Sequence, residues 1–137
     1  MKKFDEHLRN GEVVSNSLWE YENLLQTNNI IWVKDRSLYI EWDLSFNPHF
    51  EFNYYVNGIN EELKERFRRS SLSYKGKVIM TLGSSWPILK FDVDYFIENW
   101  ECLVDFSCDA SLIWTEDFQL IMEFNGETGL LFSNFLI

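Results

Sequence analysis

The stretch DVDYFIENWECLVDF, residues 92–106, decides how the rest of the chain is read. At 100° per residue, Val93, Phe96, Ile97, Trp100, Leu103 and Val104 recur at the i, i+3, i+4, i+7 spacing of a core-facing helical stripe. Asp94, Glu98, Glu101 and Asp105 stack four carboxylates along a neighbouring stripe that no lysine or arginine interrupts. Like charges three or four residues apart each destabilise a helix by roughly 0.2–0.5 kcal/mol. Three such pairs occur, 94/98, 98/101 and 101/105, so the stripe opposes the helix that carries it. The matching positive charge must come from another part of the chain or from another molecule.

Upstream, the one concentration of positive charge is Lys64, Arg66, Arg68, Arg69, Lys75 and Lys77. Asn60 as a cap, Glu61 and Glu62 in a first turn, and Arg66, Arg68 and Arg69 in a last turn describe a short helix charged as its dipole favours, anchored by Leu63 and Phe67. Glu62 with Arg66 and Glu65 with Arg69 form i,i+4 pairs, so the cluster reads as a solvated helix rather than a nucleic-acid site. It remains the strong internal candidate for pairing with the acidic stripe. A foreign cation is the alternative.

Around these two helices the pattern is largely β. Ser17-Leu18-Trp19-Glu20 has capping-box spacing for a helix ending near Gln26, and Thr27-Asn28-Asn29 breaks it. Ile30–Val33 is β-prone, with a turn at Lys34-Asp35-Arg36. Leu38, Ile40, Trp42, Leu44 and Phe46 then alternate with Ser37, Tyr39, Glu41, Asp43 and Ser45 as in a half-buried strand. After Asn47-Pro48-His49, Phe50, Phe52, Tyr54 and Val56 alternate again, which predicts an antiparallel hairpin with one solvated face. Val78–Leu82, Leu89–Phe91, Leu112–Trp114, Phe118–Phe124 and Leu130–Phe135 are further strand candidates, the last two joined by a turn at Asn125-Gly126. The sum is a single α+β domain over residues 1–137, an antiparallel sheet of about six strands with two or three helices packed on it.

A chain of 137 residues that is 18% aromatic supports a hydrophobic core without metal or disulfide staples. The formal charge is -10, and from Phe91 onward there are ten carboxylates and no Lys, Arg or His. Such a field repels nucleic acid and anionic membranes and attracts basic partners. No apolar run reaches the length of a membrane span, and acid follows Met1-Lys2-Lys3 where a signal peptide would be apolar, so a cytoplasmic protein with reduced Cys102 and Cys108 is expected.

No metal-ligand spacing, glycine-rich phosphate loop or nucleophile–base motif surrounds His7, His49, Cys102 or Cys108, and Cys102 lies at the edge of the apolar arc as a half-buried thiol. Four acids on one stripe would see similar solvent, unlike the differentiated pair a glycoside hydrolase requires. The expectation is a non-enzyme without metal or cofactor. The binding face expected instead joins Asp94, Glu98, Glu101 and Asp105 to the bordering Tyr95 and Asn99 and to Asp109, Trp114, Glu116 and Asp117, combining charge steering with aromatic anchors.

Small, acidic, aromatic-rich and without a catalytic motif, the chain resembles the immunity proteins that bacteria co-express with contact-delivered or polymorphic toxins. The resemblance covers composition and charge layout over the whole chain, with no diagnostic motif, and no family residues are carried over. It implies a monomer or weak homodimer that neutralises a cognate basic toxin of nuclease type, whose cleft is positive because it holds phosphates. The alternative is a non-catalytic adaptor or structural subunit whose acidic helix docks on a basic surface of its own assembly.

Overall fold

The computed structural model describes residues 4–16, 19–33, 36–82, 86–106 and 110–137. Asp109, Cys108, the start of the 17–20 capping box, most of the 34–36 turn and the 83–85 loop lie outside them.

In chain order the elements are helix α1 (Phe4–Asn10), strand β1 (Glu12–Ser15), helix α2 (Trp19–Thr27), strands β2 (Trp32–Val33) and β3 (Arg36–Ile40), the single helical turn α3 (Trp42–Ser45), strand β4 (Phe50–Asn53) and helix α4 (Ile59–Arg69). A 3-10 turn (Ser71–Tyr74) leads to strands β5 (Lys77–Met80) and β6 (Ile88–Asp92), helix α5 (Val93–Val104) and strands β7 (Ala110–Thr115), β8 (Ile121–Asn125) and β9 (Leu130–Ser133). The fold is α+β. Its antiparallel sheet has seven strands, in the order β1-β6-β5-β7-β8-β9-β4, and β2 and β3 pair separately.

The side-chain period of two divides the sheet into two buried faces. Val78, Met80, Leu89, Phe91, Ile113, Met122 and Phe124 join the apolar faces of α4 and α5 in the larger core. All six stripe residues predicted for α5 are buried there, with Trp100 stacked on Phe124 (centroids 5.5 Å apart, planes at 14°) and Phe67 of α4 5.8 Å from Phe96. The intervening residues Ile79, Ile88, Leu112, Trp114 and Ile121 face the other way and are covered by Leu25 of α2, Ile40 of β3 and Trp42 of α3. An antiparallel sheet covered on both faces buries consecutive residues, which is why β7 is buried throughout instead of alternating.

The predicted hairpin is corrected. The alternation from Leu38 to Phe46 stops at Ile40, and Trp42–Ser45 forms a helical turn. β3 pairs with β2 on the second face of the sheet, whereas β4 pairs with β9, Phe50 opposite Ser133 and Asn53 opposite Leu130. The turn lets Trp42 drop onto Phe132 (5.8 Å, planes at 15°), and Ser45 Oγ accepts the Ile31 N–H at 2.8 Å. Leu44, expected inward, is therefore 69% exposed, and Tyr39, expected outward, is buried. The cap of α4 is also not Asn60: the helix begins at Ile59 behind Gly58, whose φ of +78° suits glycine.

The two helices on the larger core run antiparallel. The Asn60 backbone carbonyl accepts the Trp100 indole N–H at 3.2 Å, Lys64 lies opposite Glu98, and Phe67 opposite Phe96. No helix among the described residues is long and apolar enough to cross a membrane.

Candidate functional site

The four stripe carboxylates have different surroundings. Glu98 is held from α4 by Arg68 and by Lys64 (3.8 Å). Asp94, Glu101 and Asp105 meet no cation within ion-pairing distance among the described residues. Asp94 is exposed in the first turn of α5, where a carboxylate complements the helix dipole. Glu101 and Asp105 lie one turn apart at the other end, which has no basic residue in its last turn.

The remaining predicted contacts separate similarly. Trp114 does not lie on the surface: it is 0% exposed beneath Tyr21, because β7 is central in a sheet covered on both faces. Glu116 pairs with Lys90 at 3.2 Å, and that hydrogen bond raises the lysine pKa. Asp117 accepts from Lys75 (2.7 Å), the Thr115 hydroxyl (2.6 Å) and the Gln119 N–H (3.1 Å), which together hold its pKa down at about 2. The Asn99 side chain donates back to the Tyr95 carbonyl one turn earlier (2.9 Å). Tyr95 is half-buried, its hydroxyl 2.7 Å from Nδ1 of the buried His7, whose Nε2 lies 3.3 Å from Cys102 Sγ. These contacts fasten α1 to α5, and burial raises the Tyr95 phenol pKa.

The basic cluster is engaged within the fold. Besides Lys64 and Arg68 on Glu98, Arg66 meets Glu62 and lies over the Phe52 ring, Arg69 meets Glu65, Lys75 meets Asp117 and Lys77 meets Asp92. Its answer to the acidic stripe is thus confined to Glu98.

Glu101 and Asp105 border a cavity of about 300 Å³ that the sequence reading did not anticipate. Beyond β4, Asn53 Oδ1 accepts the Tyr55 N–H at 2.9 Å, turning the chain out of the sheet toward α4. That turn places Tyr54, Tyr55 and Val56 across from Trp100, Glu101 and Asp105. Tyr54 is 7% exposed, packed edge-on against Trp100 and Phe124, while Tyr55 is 62% exposed. The Tyr55 ring is nonetheless fixed: its hydroxyl donates to the Gly126 carbonyl at 2.7 Å, and Gly129, at φ +72°, lies directly beneath it. Desolvation raises the Asp105 pKa, and burial together with Tyr55 and Asp105 lifts that of Tyr54 far above the ordinary phenol value, keeping it a neutral donor. The available signal was the Tyr54-Tyr55-Val56 run just before Asn57-Gly58, richer in aromatic surface than a strand end needs.

A second unanticipated group is Glu123. Its side chain points to the second face of the sheet, is 1% exposed, and accepts the Ile40 N–H at 2.8 Å. Burial raises its pKa to about 7; the Ile40 N–H and the nearby Trp42 and Asn125 side chains oppose the shift, although the Trp42 indole N–H makes no hydrogen bond of normal geometry. Among the described residues no three His, Cys, Asp or Glu side chains are grouped to hold a metal ion.

Compared with known proteins, the chain matches no family model and no curated sequence.

Proposed function

We propose that this chain is an immunity-type binder that neutralises a basic protein toxin in the cytoplasm of the cell making it, and that its contact face is the Glu101–Asp105 end of α5. The observation that carries this reading is the distribution of internal partners. Every basic side chain from Lys64 to Lys77 is engaged inside the fold, yet Glu101 and Asp105 meet no cation among the described residues and flank exposed aromatic surface. Two uncompensated carboxylates next to Tyr55 and Val56 supply steering and a fixed contact surface together. The adaptor alternative uses the same end of α5, but a second copy's basic helix is a poor partner because its cations already have carboxylates.

Glu123 is unsuited to acid catalysis despite its raised pKa, because it is sealed beneath β3. Glu98 is a poor reporter of the binding face, since a lysine there would confront Lys64 and Arg68 and disturb the helix pair. The decisive variant is Glu101→Lys with Asp105→Lys, confirmed folded by circular dichroism. It is co-expressed with the polypeptide encoded beside this chain's reading frame, and growth is followed. Rescue by the wild type and its loss in the variant are expected. Undiminished rescue by the variant would remove this face, and a neighbouring polypeptide that is harmless alone would remove the toxin reading.

A further inference from the structure

We infer that the cavity between the last turn of α5 and the 54–57 segment is a receptor for one arginine side chain of a basic protein partner, with Tyr55 stacking on the guanidinium and Glu101 and Asp105 receiving its N–H groups. The inference deepens the proposed binding face by naming what enters it.

Four features support a guanidinium. The cavity is lined by Tyr54, Tyr55, Val56, Trp100, Glu101 and Asp105 among others, and none of its lining residues is Lys, Arg or His. Because α4 and α5 are antiparallel, the N-terminus of one adjoins the C-terminus of the other and their dipoles largely cancel there. The two side-chain carboxylates are left as the net local charge. Tyr54 and Trp100 give the cavity an aromatic wall beside Asp105. Finally, Tyr55 presents a fixed aromatic surface to solvent, held by Gly126 and Gly129, so little side-chain freedom is lost when a cation stacks on it.

Arginine fits this combination better than lysine. Its planar, weakly hydrated fork stacks on an aromatic ring and reaches two carboxylate oxygens together, whereas an ammonium gives up more hydration to enter a partly apolar cavity.

The test uses the whole chain, isotopically labelled, with N-acetyl-arginine amide, N-acetyl-lysine amide and the neutral isostere N-acetyl-citrulline amide as probes. Backbone chemical shifts report the site. The arginine probe is expected to shift residues 54–59 and 100–105 saturably, with a Kd on the order of 1 mM for so small a ligand. The lysine probe should bind several-fold more weakly and the citrulline probe should leave the spectrum unchanged. Glu101→Gln and Asp105→Asn should each weaken arginine binding about 5-fold or more, the loss expected of a charge-assisted hydrogen bond, while Glu98→Gln should leave it as in the wild type. No saturable shift, shifts centred elsewhere, equal binding of citrulline or lysine, or equal weakening by Glu98→Gln would overturn the assignment. The outcomes for cavity and toxin separate: arginine binding without protection keeps the cavity and removes the toxin, and undiminished protection by the Glu101→Gln, Asp105→Asn double variant removes the cavity as the toxin's contact.

Discussion

Replacing Glu123 with glutamine is expected to flatten the pH dependence of stability, and the size of the effect follows from where that carboxyl sits. It is enclosed between β8 and β3 with the Ile40 N–H as its hydrogen-bond donor, and burial lifts its pKa from the ordinary 4.5 to about 7. A raised carboxyl pKa means that the folded state holds the proton more tightly than the unfolded chain. The group's contribution is therefore fully present below about pH 4.5 and is lost as pH rises through about 7. A shift of this size corresponds to about 3 kcal/mol in all, of which about 2.5 kcal/mol falls between about pH 5 and about pH 8. Glutamine keeps an oxygen for Ile40 but adds an amide N–H₂ that must find acceptors, at a cost of about 1–3 kcal/mol that does not vary with pH. The absolute stability of the variant is thus a weak readout, and its change with pH is a strong one. Urea unfolding of both proteins at several pH values between these limits should show the wild type losing about 2.5 kcal/mol relative to the variant as pH rises. A difference that stays constant with pH, or one that grows in the opposite direction, would refute the claim that burial raises the Glu123 pKa.

Two further perturbations bear on the elements around the cavity. Glu98→Ala removes the carboxylate bridging Lys64 and Arg68, but the three side chains are partly solvated, so thermal unfolding should register a loss of no more than about 1 kcal/mol; a much larger loss would mean that the ion pairs, not the Phe67–Phe96 contact, hold α4 to α5. Gly129→Ala combines a positive φ with a Cβ placed 2.5 Å from the Tyr55 ring. It should cost about 1–3 kcal/mol in urea unfolding and displace Tyr55 in ring-proton spectra, and a neutral substitution would show that Tyr55 is not held as described.

Legibility in the sequence followed the number of faces an element buries. α5 was fully legible because it buries one stripe and hydrates the other, so Val93 through Val104 fell where a 3.6-residue period puts them. The 38–46 segment was misread because period-2 alternation records burial without naming a partner, and Trp42 reaches its apolar surroundings through a helical turn instead of a strand. Trp114 was assigned to the surface because acidic residues follow it, yet its position at the centre of a two-faced sheet depends on α2 and β3, which carry no local signature of docking there. Glu123 alternates with Met122 and Phe124 in the sequence, which marks it as outward, and it is buried for the same reason. Of the proposed binding face, the acids are readable in the sequence and the cavity is not. The cavity requires the 54–57 segment to meet the end of α5, a contact made across residues far apart in the chain.

The layout of α4 explains which acids on α5 remain bare. Glu61 and Glu62 occupy its first turn and Arg66, Arg68 and Arg69 its last, the order its own dipole favours. Because α4 lies antiparallel on α5, Lys64 and Arg68 come alongside Glu98, and the acidic start of α4 comes alongside the end of α5 where Glu101 and Asp105 project. The charge order that stabilises α4 thus neutralises the middle of the acidic stripe and concentrates uncompensated charge at its end. Cations at the start of α4 would instead lie toward that end of α5, with Leu63 and Phe67 kept in the same core. What keeps the cavity open is the sequence of charges on a neighbouring helix, and the proposed cationic partner would recover the interaction that this arrangement leaves unmade.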